Sequence, residues 1–171
     1  EEFFDNEIKK YKNMGVANFI LHTPSPNISD ETQYMEMINY AKKYGYLIST
    51  SVSENLDNVG EIDKECGLSP VALLESYGFL DFRNMLINAV YVDKDDVSIL
   101  KNYDTNICTC PTKNLINGSG IAPIYSFLKN NLNIVIGGVV GNIFNEANLV
   151  KNLQSGVLNE IDKVKKNDVE K

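Results

Sequence analysis

Histidine is almost missing from this sequence: His22 is the only one in 171 residues. A metal shell built on several imidazoles therefore cannot come from these residues alone, and any serine or cysteine base pair would have to use His22. Cysteine is scarce too. Cys66, Cys108 and Cys110 are odd in number and lack the spacing of a disulfide framework, which points to reduced thiols and a cytoplasmic location. No apolar run approaches the roughly 20 residues of a membrane span. Basic residues are in deficit, with a net charge of −7 and no Lys/Arg cluster, which argues against a nucleic-acid surface. Glu1-Glu2-Phe3-Phe4 has no basic segment leading into an apolar core, so it reads as the interior of a larger protein rather than a signal peptide. What the sequence does have is 43% hydrophobic residues, enough to bury a core in one domain over 1–171.

The most informative stretch is 105–123. Thr105, Ile107 and Thr109 alternate with Asn106, Cys108 and Cys110, a period of two that predicts a strand over 105–110. Pro111 has no N–H for a ladder and ends the pairing. A polar loop with Asn114, Asn117, Gly118, Ser119 and Gly120 is expected next. From Ile121 the spacing Ile121, Ile124, Tyr125, Leu128 is helical. Cys108 and Cys110 share one strand face; such a pair is read as small buried hydrophobes, with metal binding or a strained disulfide as the alternative.

The same strand–loop–helix unit recurs. Strands are predicted near 16–21, 46–52, 85–92, 105–110 and 133–137. A helix over 2–14 ends at Gly15; another is capped by Ser29 and stopped by Gly45; a third has Ser69 as cap and Pro70 at its first position; a fourth follows Asp93. A helix over about 145–153 and a charged tail helix near 156–168 complete the chain. Alternating βα units predict an α/β fold with a parallel sheet of about five units. The open alternative is a doubly wound sheet.

Cys110-Pro111-Thr112-x-Asn114-Leu115-x-x-Gly118-Ser119-Gly120-Ile121-Ala122-Pro123 resembles the seventh strand–loop of the amidohydrolase superfamily. It is most like the branch of 5-methylthioadenosine/S-adenosylhomocysteine deaminases and chlorohydrolases. The resemblance runs from about Val16 to Leu153. It implies a partial (β/α) TIM-type barrel in which the five strands are the fourth to eighth, the C-terminal part of the barrel. Eight units in about 250 residues use about 31 residues each, so this length holds about five and a half. An unclosed barrel leaves two edge strands, and it is expected to close by a second chain, by self-association or by repacking of the tail helix.

The family uses zinc or another divalent metal to activate water for attack on a purine carbon. Its ligands come from a His-x-His on the first strand, which lies outside this match, and from later strands. The fifth-strand His-x-x-Glu corresponds to Ser51-Val52-Ser53-Glu54, which keeps the proton-moving Glu54 but has Ser51 at the ligand. The sixth-strand histidine corresponds to Ala89, and the eighth-strand aspartate to Val139. His22-Thr23-Pro24 resembles the substrate-contacting His-Ser-Pro after the fourth strand, and Asn114 the asparagine of the seventh-strand loop. Read from the residues alone, Glu54 is a solvated or capping carboxylate and His22 bonds a loop carbonyl. Ser49, Thr50, Ser51 and Ser53 form a hydroxyl-rich strand end with only His22 as a base. Gly137, Gly138 and Gly141 lack the spacing of a phosphate loop.

Together these observations imply a truncated or degenerate relative of metal-dependent deaminases, with the metal site lost and no cofactor expected in this chain. It would be inactive alone, with a purine-nucleoside-like ligand possible at the loops of His22, Glu54 and Asn114. The alternatives are a working C–N hydrolase completed by another chain and a purely structural half-barrel.

Overall fold

A computed structural model describes residues 2–13, 19–138, 141–161, 163–165 and 168. The elements run α1 (Glu2–Asn13), β1 (Ile20–Thr23), α2 (Glu31–Tyr44), β2 (Leu47–Val52), α3 (Leu56–Cys66), α4 (Pro70–Ser76), β3 (Asn84–Asn88), α5 (Lys94–Asn102), β4 (Asn106–Thr109), α6 (Pro111–Ile116), α7 (Ile124–Lys129), β5 (Asn133–Ile136) and α8 (Ile143–Leu158). All five strands are parallel and lie in the order β1-β2-β3-β4-β5. A doubly wound sheet reverses its strand order at a switch point. This sheet never does, so successive right-handed crossovers set every helix on one side. That is barrel topology, and the doubly wound alternative falls away.

Register divides the sheet into two faces. Leu21 pairs with Ile48, Thr50 with Leu86, and Leu86 with Ile107. These point toward the helices, and Ile48, Leu86 and Ile107 are fully buried with Tyr34, Ile38, Leu74, Phe79, Leu100 and Phe127. The other face carries Ile20, His22, Leu47, Ser49, Ser51, Met85, Ile87, Cys108 and Val135. Among the described residues no layer covers its edges: Ile20 is 55% and Val135 41% exposed.

Several boundaries differ from the sequence expectation, each for a local reason. Val16–Asn18 lie outside the described residues, and β1 runs to Thr23 before Pro24 ends pairing. His22 therefore sits on a strand, not in the loop. Asp30 rather than Ser29 caps α2: its carboxylate accepts from Gln33 N at 3.0 Å while the Gln33 side chain accepts from Asp30 N, a capping box. The strand expected over 85–92 stops at Asn88, because Asn88 (φ 76°) and Ala89 (φ 45°) enter the left-handed region. The Ala89 N–H then donates to the Val52 carbonyl, and those of Val90 and Tyr91 to the Ser53 carbonyl. Pro111 does not open a loop; it takes the first position of α6, where its missing N–H costs nothing. Of the tail helix expected near 156–168, residues 156–158 finish α8, left-handed Asn159 (φ 51°) ends it, 161, 163 and 164 are turns or bends, 168 is helical, and 162, 166 and 167 lie outside the described residues.

Candidate functional site

Strand ends set the site. Parallel strands deliver their C-terminal residues to one rim, where barrel enzymes hold ligands. At this rim β1 contributes His22, β2 contributes Ser51 and Glu54, β3 contributes Asn88 and Ala89, and β4 contributes Cys108 and Cys110. The α6 helix then brings Lys113 over the rim, one turn beyond Cys110.

Lys113 organises these groups. Its ammonium lies 3.1 Å from Glu54 Oε1. The other carboxylate oxygen, Oε2, accepts from Asn88 Nδ2 at 2.8 Å. Glu54 is thus an ion-paired, hydrogen-bonded carboxylate. Lys113 also acts on His22, whose pKa is held below the ordinary 6.5 first by burial and then by this positive charge. His22 Nδ1 is 3.1 Å from Ser49 Oγ; Ser49 is buried, and its hydroxyl donates to the Leu21 carbonyl at 3.4 Å, which leaves the oxygen to accept from the imidazole. Of the four hydroxyl residues at this strand end, Ser49 is the one His22 meets, and it is covered rather than presented to a substrate.

The sequence-predicted set is only partly brought together. Glu54 and His22 share the rim through Lys113. Asn114 does not join them: it is 1% exposed and lines a separate small cavity with Thr109, Gly120, Ala122 and Gln154, against α8. Neither end of its amide has a hydrogen-bond partner among the described residues. Ser51 and Ala89 occupy the rim positions where the resemblance requires ligands. Val139 lies outside the described residues. Among those described, no three His, Cys, Asp or Glu side chains converge as a metal shell. The described residues do not by themselves assemble the family's metal shell.

Two residues escaped the sequence reading. Lys113 was hidden because 111–120 read as a loop; as a helix starting at Pro111, the spacing Cys110–Lys113 puts both on one face. Glu146, in the first turn of α8, is 2% exposed and its Oε2 accepts from Thr112 N at 3.1 Å. No sequence pattern marked it. Gly138 makes room for it, since a Cβ there would lie 2.9 Å from Glu146 Cγ. Cys110 feels both carboxylates and the lysine. Its pKa is lowered to about 7, first by the Cys108 thiol donating to it, with Lys113 assisting against burial, while the same bond and burial push Cys108 up.

Known proteins match this architecture. The 5-methylthioadenosine/S-adenosylhomocysteine deaminase of Aquifex aeolicus is 36% identical over 97 residues, 57% of this chain and 23% of that protein. The 5'-deoxyadenosine deaminase of Methanocaldococcus jannaschii is 31% identical over 114 residues, 66% of this chain and 27% of that protein. This chain thus spans about a quarter of the length of these relatives. In fold, an adenosine deaminase from Xanthomonas campestris solved with bound zinc superposes with a TM-score of 0.75 at 17% identity, covering 84% of this chain and 34% of that one. No helix among the described residues is long and apolar enough to cross a membrane. The amidohydrolase family model matches residues 1–158, and with its parallel, non-reversing sheet the chain belongs to the amidohydrolase family.

Proposed function

We infer that this chain is a degenerate deaminase-type amidohydrolase domain, derived from enzymes acting on adenosine-like nucleosides, whose half-barrel binds a small ligand at its rim without hydrolysing it. The observation that carries this reading is the fate of Glu54. In the family a glutamate at this position shuttles protons beside a metal-bound water. Here its two oxygens are occupied by Lys113 and Asn88, and the neighbouring ligand positions are Ser51 and Ala89. A carboxylate whose two oxygens are taken by a cation and an amide donor is held as a fixed hydrogen-bonding group at the rim. His22, half-shielded and favouring its neutral form, and Lys113 offer a donor–acceptor rim suited to a polar heterocycle.

A second reading is favoured by the uncovered sheet face. β1 and β5 each pair on one side only, and Ile20 and Val135 lie open. Strands from a longer chain, a second copy or another protein would close this barrel and could bring the missing histidines. Two measurements separate the readings. Zinc content after equilibration and removal of excess should fall far below one ion per chain, and 5'-deoxyadenosine should release no ammonia while still producing binding heat in calorimetry. One zinc per chain together with ammonia release would overturn the first reading; absence of binding heat would remove its ligand.

A further inference from the structure

The rim holds a second feature that the deaminase ancestry does not explain. Cys108, near the end of β4, and Cys110, the residue that leads from β4 into α6, bring their thiols to the same open side of the rim. Both converge on one point. A Cβ on Gly137 would lie 2.8 Å from Cys110 Sγ and 3.0 Å from Cys108 Sγ. Glycine at 137 therefore leaves free the space between and beside the two sulfurs. Both cysteines are half-buried rather than sealed, so the pair is reachable from the uncovered face.

We propose that Cys108 and Cys110 form a two-sulfur site for a soft monovalent cation of the copper(I) class. Thiolates select soft ions, and two converging thiolates suffice for such an ion where zinc or iron asks for more ligands. No third His, Cys, Asp or Glu completes a larger shell among the described residues. Glu54, Glu146 and Lys113 are the charged groups among the described residues that act on Cys110, two negative and one positive. Binding exchanges protons for the ion. Each sulfur still protonated gives its proton to water as the metal–sulfur bond forms, so two neutral thiols and one cation yield a bis-thiolate complex of charge −1 and two protons.

Silver(I) is a redox-inert probe for this site. The reduced Cys66→Ser protein is titrated with silver(I) in an excess of 2-mercaptoethanol, which outcompetes any isolated thiol. Native mass spectrometry counts bound ions, and the sulfur-to-metal absorption band follows loading. The expected result is one ion per chain, with retention weakened roughly a hundredfold or more by either Cys108→Ser or Cys110→Ser, the gain that an intramolecular second ligand supplies. Full retention after either substitution would overturn the proposal. Should those variants fold poorly, alkylation of the otherwise unaltered protein decides: silver(I) must protect Cys108 and Cys110 together while Cys66 remains labelled, and equal labelling of all three thiols would overturn it. Neither result touches the nucleoside-binding reading, which uses Glu54 and His22.

Discussion

The two faces of the sheet have opposite characters, although the same strands make both. Ile48, Leu86 and Ile107 on the helix side are sealed, whereas Ile20 and Val135 on the other side face solvent. Close packing explains why the first face tolerates little change, since each deleted methylene leaves a cavity that neighbours cannot fill. On the second face the edge-strand residues Ile20 and Val135 have few neighbours to lose, while Ser49 between them is buried. This asymmetry says that the fold's stability rests on the helix layer, and that the rim chemistry sits on the more exposed side of the sheet.

The comparison breaks most visibly with paired truncations. Leu86→Ala, on the central strand, is expected to cost about 2–5 kcal/mol in denaturant unfolding, while Ile20→Ser should change stability by less than about 0.5 kcal/mol. Comparable losses at both positions would mean that the open face is covered in solution, and concentration-dependent unfolding of the Ile20→Ser variant would then identify a second copy as the cover.

At the rim the two environments meet, and Gly138→Ala tests their join. The added Cβ would sit 2.9 Å from Glu146 Cγ, so the buried carboxylate must move and abandon Thr112 N. A loss of about 1–3 kcal/mol is expected. Glu146→Gln on the same background should recover none of it if displacement, rather than charge, is the cause. By contrast, Glu54→Gln should cost under about 1 kcal/mol, because its bridge to Lys113 is partly exposed and screened by salt. A larger loss would show that Glu54 supports the fold rather than a ligand.

These positions also show how far the sequence could be read. Gly45, Ser69-Pro70 and Asp93 announce helix ends by backbone chemistry alone, and the structure uses each in that way. The non-reversing strand order was not legible as such; it entered through the resemblance of 110–123. The end of β3 was invisible because Asn88 and Ala89 adopt left-handed φ under tertiary constraint, where a run of Ala89, Val90, Tyr91 and Val92 favours a strand. Pro111 had two opposite meanings, strand end and helix start, and only the second reveals Lys113. Glu54 and His22 were singled out in the sequence, and the structure sets both at the rim; the lysine beside them carried no sequence signal.

The smallest expected effect is the cleanest to observe, because one histidine gives one titrating signal. His22 is neutral-favouring in the folded chain, by burial first and Lys113 second. Its folded pKa lies below the unfolded value, so its contribution to stability is present above about 6.5 and is lost as pH falls through the folded pKa. NMR of the imidazole C2 proton should give a midpoint below 6.5. Lys113→Ala should move that midpoint upward without restoring it fully, since burial remains the larger cause. An unmoved midpoint would place Lys113 away from His22 in solution, and the rim would then be two separate sites, Glu54 with Asn88 on one side and His22 with Ser49 on the other.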